Sequence, residues 1–301
     1  MTSPLGRPTS SPAALLFRSL RPQQWTKNLF VFAGLLFSGH LLDRTAWPAA
    51  LAAFFIFCGL SGAVYLVNDV LDRGADAQHP IKRHRPIASG ALAPGVALTA
   101  ALVLAALSVA GAVAVNASLT LAAVAYVVLL ASYSAALKHY VIIDVLTLAA
   151  GFVLRAVAGA VAIGVPISHW LLVCTTLLAL FIGLSKRRHE LTLLTEGAAG
   201  HRPILQEYSP YLLDQMISVV TAATLVAYSV YTISSETAER LGSDRLGITI
   251  PFVLYGIFRY LYLVHRRNGG GSPSELLLTD RPLLICVALW TAAVVLVIYV
   301  I

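Results

Sequence analysis

Charge is what this 301-residue chain has least of: Asp, Glu, Lys and Arg together make up only 12% of it. A soluble domain usually carries about 25%. That scarcity excludes an ordinary globule, which needs a polar skin, and 58% of the residues are hydrophobic. The mean hydropathy of +0.80 agrees. Cysteine is scarce too. Cys58, Cys174 and Cys286 each sit within an apolar stretch, without paired spacing. This excludes a disulfide framework and a cysteine-ligated metal, and leaves them as small packing residues. The period-two alternation of barrel strands is also missing; the apolar stretches are long, unbroken and rich in Ala, Leu and Val. Within lipid, backbone groups are satisfied only by helices or closed barrels, so these stretches read as helices. The first 24 residues are rich in Ser and Pro and lack the apolar core of a secretory signal. They are expected to form a short, partly disordered cytoplasmic tail.

What the chain does have is spanning segments. A spanning helix needs about 20 mostly apolar residues. Nine candidates follow: Lys27–Leu42, Trp47–Asn68, Pro94–Val115, Ser118–Leu137, Val141–Gly164, Ser168–Leu184, Leu213–Ile233, Ile248–Val264 and Pro282–Ile301. The first is short and Arg259 interrupts the eighth. The expected fold is therefore all-α, a polytopic nine-helix membrane domain over residues 25–301. With nine spans, one side collects 16 of the 21 Lys and Arg residues, and the other keeps Arg44, Arg240 and Arg245. Arg155 and Arg259 fall inside spans. Positive charge marks the cytoplasmic side, which places the N-terminus and the charged loops there. The net charge of +7 is thereby explained by topology and anionic lipid rather than by nucleic acid.

Topology does not explain the acids placed among those cations. At the end of the second span the pattern is N-D-x-x-D-x-x-x-D, from Asn68 through Asp69, Asp72 and Asp76. On a continuing helix the three aspartates share a face and repel, at the terminus where the macrodipole is already negative. A divalent cation offsets this. Mg²⁺ takes oxygen ligands and commonly joins one or two carboxylates to substrate phosphates. Lys82, Arg83 and Arg85 follow directly, with His79 and His84 among them. Carboxylates for metal beside cations for phosphate make a diphosphate site, in which oxygen ligands leave the histidines no necessary role.

The N-D-x-x-D-x-x-x-D run followed by Arg85-Pro-x-x-Ser-Gly resembles the first signature of the UbiA-type prenyltransferase superfamily. The resemblance implies nine membrane helices, an isoprenoid held in the bundle and Mg²⁺ at a cytoplasmic cap. It covers nearly the whole chain. Where many members carry a second acidic pair, this chain has Asp144 alone, between Lys138 and Arg155. Asp144 and Arg155 are about three turns apart and are expected to face the same way. An arginine inside an apolar span either faces a cavity or forms a structural ion pair. The phrases Arg21-Pro-Gln-Gln-Trp25-Thr-Lys27-Asn28, Tyr65-Leu-Val-Asn-Asp, Leu146-Thr-Leu-Ala-Ala-Gly-Phe-Val-Leu-Arg155 and Ser185-Lys186-Arg187-Arg188-His-Glu190-Leu are most similar to the decaprenyl-phosphate phosphoribosyltransferase branch.

That resemblance implies transfer of 5-phosphoribose from phosphoribosyl pyrophosphate to a polyprenyl (decaprenyl) phosphate, releasing pyrophosphate, for arabinan cell-wall precursor synthesis. A homotrimer is also implied. Asn68, Asp69, Asp72 and Asp76 would hold Mg²⁺ on the pyrophosphate. Lys27 and Lys138 would meet the lipid phosphate, and Lys82, Arg83, Arg85, Lys186 and Arg187 the other phosphates. Tyr65 and Tyr133 would bond ribose or phosphate, Asp144 would orient Lys138 or bind sugar hydroxyls, and Arg155 would contact substrate. The nucleophile is already anionic, so no general base is needed. Three other readings compete: a prenyl diphosphate–aromatic transferase of the same superfamily, a metal-gated transporter, and a lipid-binding scaffold. Transporter sites usually lie near the midplane, whereas these acids gather at one end. The segment Leu184–Tyr211 is expected to be a lid or a solvated connector.

Overall fold

A computed structural model describes residues 11–80, 82–195, 203–266, 271 and 273–300. Among them every regular element is helical: α1 (Pro12–Ser19), α2 (Phe32–Phe37), α3 (Trp47–Leu71), α4 (Arg73–Gln78), α5 (Pro94–Val115), α6 (Ala117–Ala135), α7 (Ile143–Ala162), α8 (His169–Thr195), α9 (Pro210–Ile233), α10 (Ser235–Leu241), α11 (Ile250–Arg266), α12 (Pro273–Thr279) and α13 (Arg281–Tyr299). Eight of these helices are long and apolar enough to cross a membrane. Leu102, Leu107 and Val113 of α5 and Leu121 and Val128 of α6 stand exposed on the outer surface. Contiguous exposed apolar faces on a chain this apolar are lipid-facing surface, and the protein is a multi-pass membrane protein.

The expected first span is not an α-helix. Residues Pro22–Val31 form a 3-10 run that ends in the six-residue α2. It packs along α3 from one end to the other. Arg21 meets Asp69 near the end of α3, and Phe32 lies against Trp47 at its start, 6.1 Å between ring centres. A 3-10 run rises about 2.0 Å per residue, so fewer residues cover the same depth than in an α-helix. Glycine makes the docking possible. A Cβ on Gly159 of α7 would lie 1.7 Å from the Val31 carbonyl oxygen, and one on Gly34 would lie 2.8 Å from the Ala160 backbone nitrogen. No other residue allows two backbones this close.

Polar caps set the helix ends. Asn116 accepts from Leu119 N–H at 2.7 Å, starting α6, and its amide donates to the Val161 carbonyl at 3.0 Å. Ser209 caps α9 and Asp280 caps α13, each with proline in the first turn, where its missing N–H costs nothing. Arg259, the charge that interrupts α11, is bonded to that same Asp280 at 2.8 and 3.1 Å. Two segments are more ordered than expected. Residues 12–19 of the anticipated tail are helical, and Leu16 and Leu20 pack on the apolar cluster of α3 and α5. The sixth span does not stop at Leu184. α8 runs on to Thr195, supported by Lys186–Glu190 and Arg187–Glu190 pairs four and three residues apart. Beyond it, Ile204, Leu205 and Tyr208 are buried, so this stretch is a packed connector rather than a solvated one. Glu196, Gly197, Gly200 and Arg202 lie outside the described residues.

Candidate functional site

Consecutive long helices alternate in direction, so one end of the bundle gathers the ends of α3, α6 and α8 and the starts of α5, α7 and α9. The candidate residues collect there in three groups.

The first group surrounds Asp69 and Asp76, each 3% exposed. α3 ends at Leu71, and Asp72 sits in a turn before α4 restarts the chain. The acids therefore do not share one uninterrupted face. Asp69 and Asp76 turn inward and Asp72 is exposed. The two inward carboxylates accept from one nitrogen of Arg85, at 3.1 and 2.5 Å. Arg21 donates to Asp69 as well, and its guanidinium lies 4.7 Å from the centre of the Tyr65 ring. Lys82 stands 3.9 Å from Asp76. Asn68 is half-buried beside them, while Arg83 is exposed.

The second group is closed. Arg187, 1% exposed, donates to Asp144 at 2.7 Å, to Glu190 at 2.5 Å and to the Tyr133 hydroxyl at 3.2 Å. The Tyr208 hydroxyl donates to the other oxygen of Asp144 at 2.9 Å and accepts from the Ile142 N–H at 2.7 Å. Burial pushes the Tyr208 phenol up to about 12, so it stays a neutral donor. Ile142 has a φ of +68°, a conformation that β-branched residues rarely adopt, and the Tyr208 contact holds it there. Asp144 is thus engaged by Arg187 and Tyr208, not by Lys138, which is half-buried in the 3-10 turn that follows α6. Lys186 points to Glu190 at 3.8 Å.

The third group lies deeper. Arg155 does not pair with Asp144. Its guanidinium donates to Asn28, Gly151 and Tyr126, while Ser61 and the adjacent Lys27 complete the neighbourhood.

Sequence reasoning left Arg21, Ser61, Tyr126, Glu190 and Tyr208 without a role. Glu190 carried a signal, three residues after Arg187. Tyr126 and Tyr208 did not, because they reach their partners across 29 and 64 residues.

Among the described residues no three acidic, histidine or cysteine side chains converge as metal ligands. Mg²⁺ does not need three. It keeps water and substrate phosphate for the remaining positions. Asp69 and Asp76 already converge on one cationic nitrogen of Arg85, and their hard oxygens suit a divalent ion at that place.

The fold and this end-on cluster define a polytopic helical membrane protein with a charged site at one end of its bundle. The family model for the UbiA prenyltransferase family matches residues 28–278, and the chain belongs to that family. A decaprenyl-phosphate phosphoribosyltransferase from Corynebacterium glutamicum is 34% identical over 98% of this chain and 90% of its own length. The protein of that name from Mycobacterium tuberculosis is 33% identical over 96% of this chain and 95% of its own. A solved UbiA homolog from Archaeoglobus fulgidus, bound to GPP and Mg²⁺, shares the fold with a TM-score of 0.71 at 20% identity, covering 95% of this chain and all of that one.

Proposed function

We propose that this protein transfers 5-phosphoribose from phosphoribosyl pyrophosphate to a polyprenyl phosphate and releases pyrophosphate. The observation that carries the reading is the near full-length similarity to relatives named for decaprenyl-phosphate phosphoribosyl transfer. The geometry supports it. A carboxylate pair lined with Arg21, Arg85 and Lys82 suits a pyrophosphate better than a neutral group. In the reaction, the bond from the anomeric carbon to pyrophosphate breaks and its electron pair leaves with pyrophosphate. A phosphate oxygen of the lipid forms the new bond to that carbon. No proton moves.

Asp69 and Asp76, with Asn68 and Asp72 beside them, would hold Mg²⁺, which supplies charge neutralisation to the leaving pyrophosphate when bound. Arg85 is the residue that yields. It releases the carboxylates and turns to a phosphate oxygen, and Arg21 and Lys82 follow the same logic. Arg83, Lys138 and Lys186 line the approach for phosphate, Lys27 meets phosphate further in, and Tyr65 and Tyr133 hydrogen-bond ribose or phosphate. The enclosure of Arg187 by Asp144, Glu190 and Tyr133 favours a pin beneath the site over a phosphate ligand. The positive-inside bias supports a cytoplasmic position for this end, on the side of the soluble donor, and the bacterial inner membrane follows by analogy with the branch. Decaprenyl as the lipid, supply of an arabinan cell-wall precursor and a homotrimeric assembly complete the proposal by analogy with the branch.

The test is pyrophosphate release by purified protein given phosphoribosyl pyrophosphate and a short polyprenyl phosphate. Release should need both substrates and Mg²⁺, and should stop on chelation. Turnover of a prenyl diphosphate with an aromatic acceptor in its place would move the protein to the other branch of the family.

A further inference from the structure

Among the described residues only Arg21 and Ile142 hold a positive φ without being glycine, and both lie at the charged end of the bundle. Arg21 belongs to the first group, where it meets Asp69. Ile142 carries no chemistry of its own. Its φ of +68° and ψ of −45°, with the Ile143 N–H donating to the Val141 carbonyl at 2.7 Å, make a γ-turn of the rare, strained form. A β-branched side chain adds to that strain. Ile142 also stands at the start of α7 and offers no side-chain cap. Glycine or asparagine suits both tasks, and isoleucine suits neither. Such strain persists only where the surroundings over-determine it, and it collects at sites that need a fixed shape.

The surroundings here are one connector. The Tyr208 hydroxyl accepts from the Ile142 N–H at 2.7 Å and donates to Asp144 at 2.9 Å, and Arg187 fastens Asp144 from the other side. The 3-10 run Pro203–Glu207, which leads into Tyr208, lies against the turn Leu137–His139. The connector therefore grips the segment between α6 and α7 at both of its ends. That segment carries Lys138, four residues before Ile142. Its backbone is tied throughout. The His139 and Tyr140 N–H groups bond to the Ala136 and Leu137 carbonyls at 3.0 and 3.3 Å, and the Asp144 N–H bonds to the Tyr140 carbonyl at 3.1 Å. A shift at Ile142 is thus passed to Lys138 along the chain.

We propose that Tyr208 is a positioning residue: by holding the strained turn at Ile142 it keeps Lys138 set for the phosphate that Lys138 meets. The hydroxyl touches no substrate. It acts through the backbone of residues 138–142, so that the cation is in place before the phosphate arrives and less ordering is left to binding. Only the assignment of Lys138 to a phosphate, on the lipid or on the donor, rests on the reading above.

Amide hydrogen exchange on the purified full-length protein is the first test. Tyr208→Phe should speed exchange across residues 137–143 about tenfold and leave α5 unchanged. Exchange unchanged in that segment overturns the proposal. The second test is kinetic, in whichever transfer the unaltered protein catalyses. Tyr208→Phe should raise KM for one phosphate substrate about tenfold and keep kcat within about twofold. Adding Ile142→Gly should restore most of the loss, because glycine takes the turn unaided. On a Lys138→Gln background, Tyr208→Phe should raise KM by less than about twofold further. A merely structural Tyr208 lowers the melting temperature and costs the same factor on every background. A loss undiminished by Ile142→Gly, or repeated in full on Lys138→Gln, therefore overturns the positioning role. If Tyr208→Phe does not fold, Ile142→Gly against Ile142→Ala decides. Glycine should melt higher than alanine here, since alanine keeps the Cβ that a positive φ penalises, and the reverse order overturns the proposal. Exchange and melting need no turnover, so their outcome is separate from that of the pyrophosphate assay.

Discussion

Asp69–Arg85 and Asp144–Arg187 are both carboxylate–arginine pairs at the same end of the bundle, yet they are built for different purposes. Both carboxylates are sealed, at 3% and 0% exposure. The arginines differ: Arg85 is 28% exposed and Arg187 1%. Arg85 holds two carboxylates from the outside, so a cation or phosphate from solution can replace its contacts. Arg187 is bonded on every side by Asp144, Glu190 and Tyr133, with Tyr208 closing over the acid. Exchangeable charge marks a site, and enclosed charge marks a fastening. Identity of the residues does not separate the two cases; access to one partner does.

The largest effect expected from this difference is chemical. Asp69→Asn should lower transfer by about a thousandfold or more, as loss of a central metal ligand costs several kcal/mol. The detergent melting temperature should hardly move, since Arg21 and Arg85 remain half-exposed and can reach water. Asp72→Asn tells whether the exposed carboxylate swings in to complete the metal. An activity as low as that of Asp69→Asn would mean that it does, and a normal rate would leave the task to Asp69 and Asp76. Arg187→Met should behave the opposite way. It strands Asp144 in the bundle, and breaking a buried pair on one side costs about 3–5 kcal/mol of stability. A thermal melt reads this directly. A stable Arg187→Met protein with no activity would make Arg187 a ligand after all and end the contrast.

Much of this was legible in the chain. Long apolar stretches announce spanning helices because lipid permits little else, and eight of them stand where hydropathy places them. The grouping of Asp69 with Asp76 follows from seven-residue spacing, which survives the turn at Asp72 because α4 resumes the helical course. What stayed hidden depends on distance in sequence. Residues 22–31 look like any short apolar span. Their 3-10 course rests on contact with Gly159, more than a hundred residues away. Asp144 and Arg155 share a helix, and their spacing gave no sign that each bonds to a different neighbour. Tyr208 lies in a polar connector, a composition that describes solvated loops equally well.

Tyr208 also yields the smallest and most specific expectation. Tyr208→Phe removes one hydroxyl from between Asp144 and the Ile142 N–H, leaving the buried Asp144 acceptor short of a partner at about 1–3 kcal/mol. The Arg187 contacts persist, so the loss should be less than that of Arg187→Met. It should also depend on pH in a known direction. The folded phenol titrates near 12, above its ordinary value of 10.0. The folded state therefore keeps a proton that the unfolded chain releases. Stability from this group is fully present below pH 10 and falls as pH rises toward 12. Melting temperatures of the parent and of Tyr208→Phe should accordingly run parallel up to about pH 10 and converge above it. A constant gap across that range would detach the phenol from the Asp144 fastening and leave Ile142 held by packing alone.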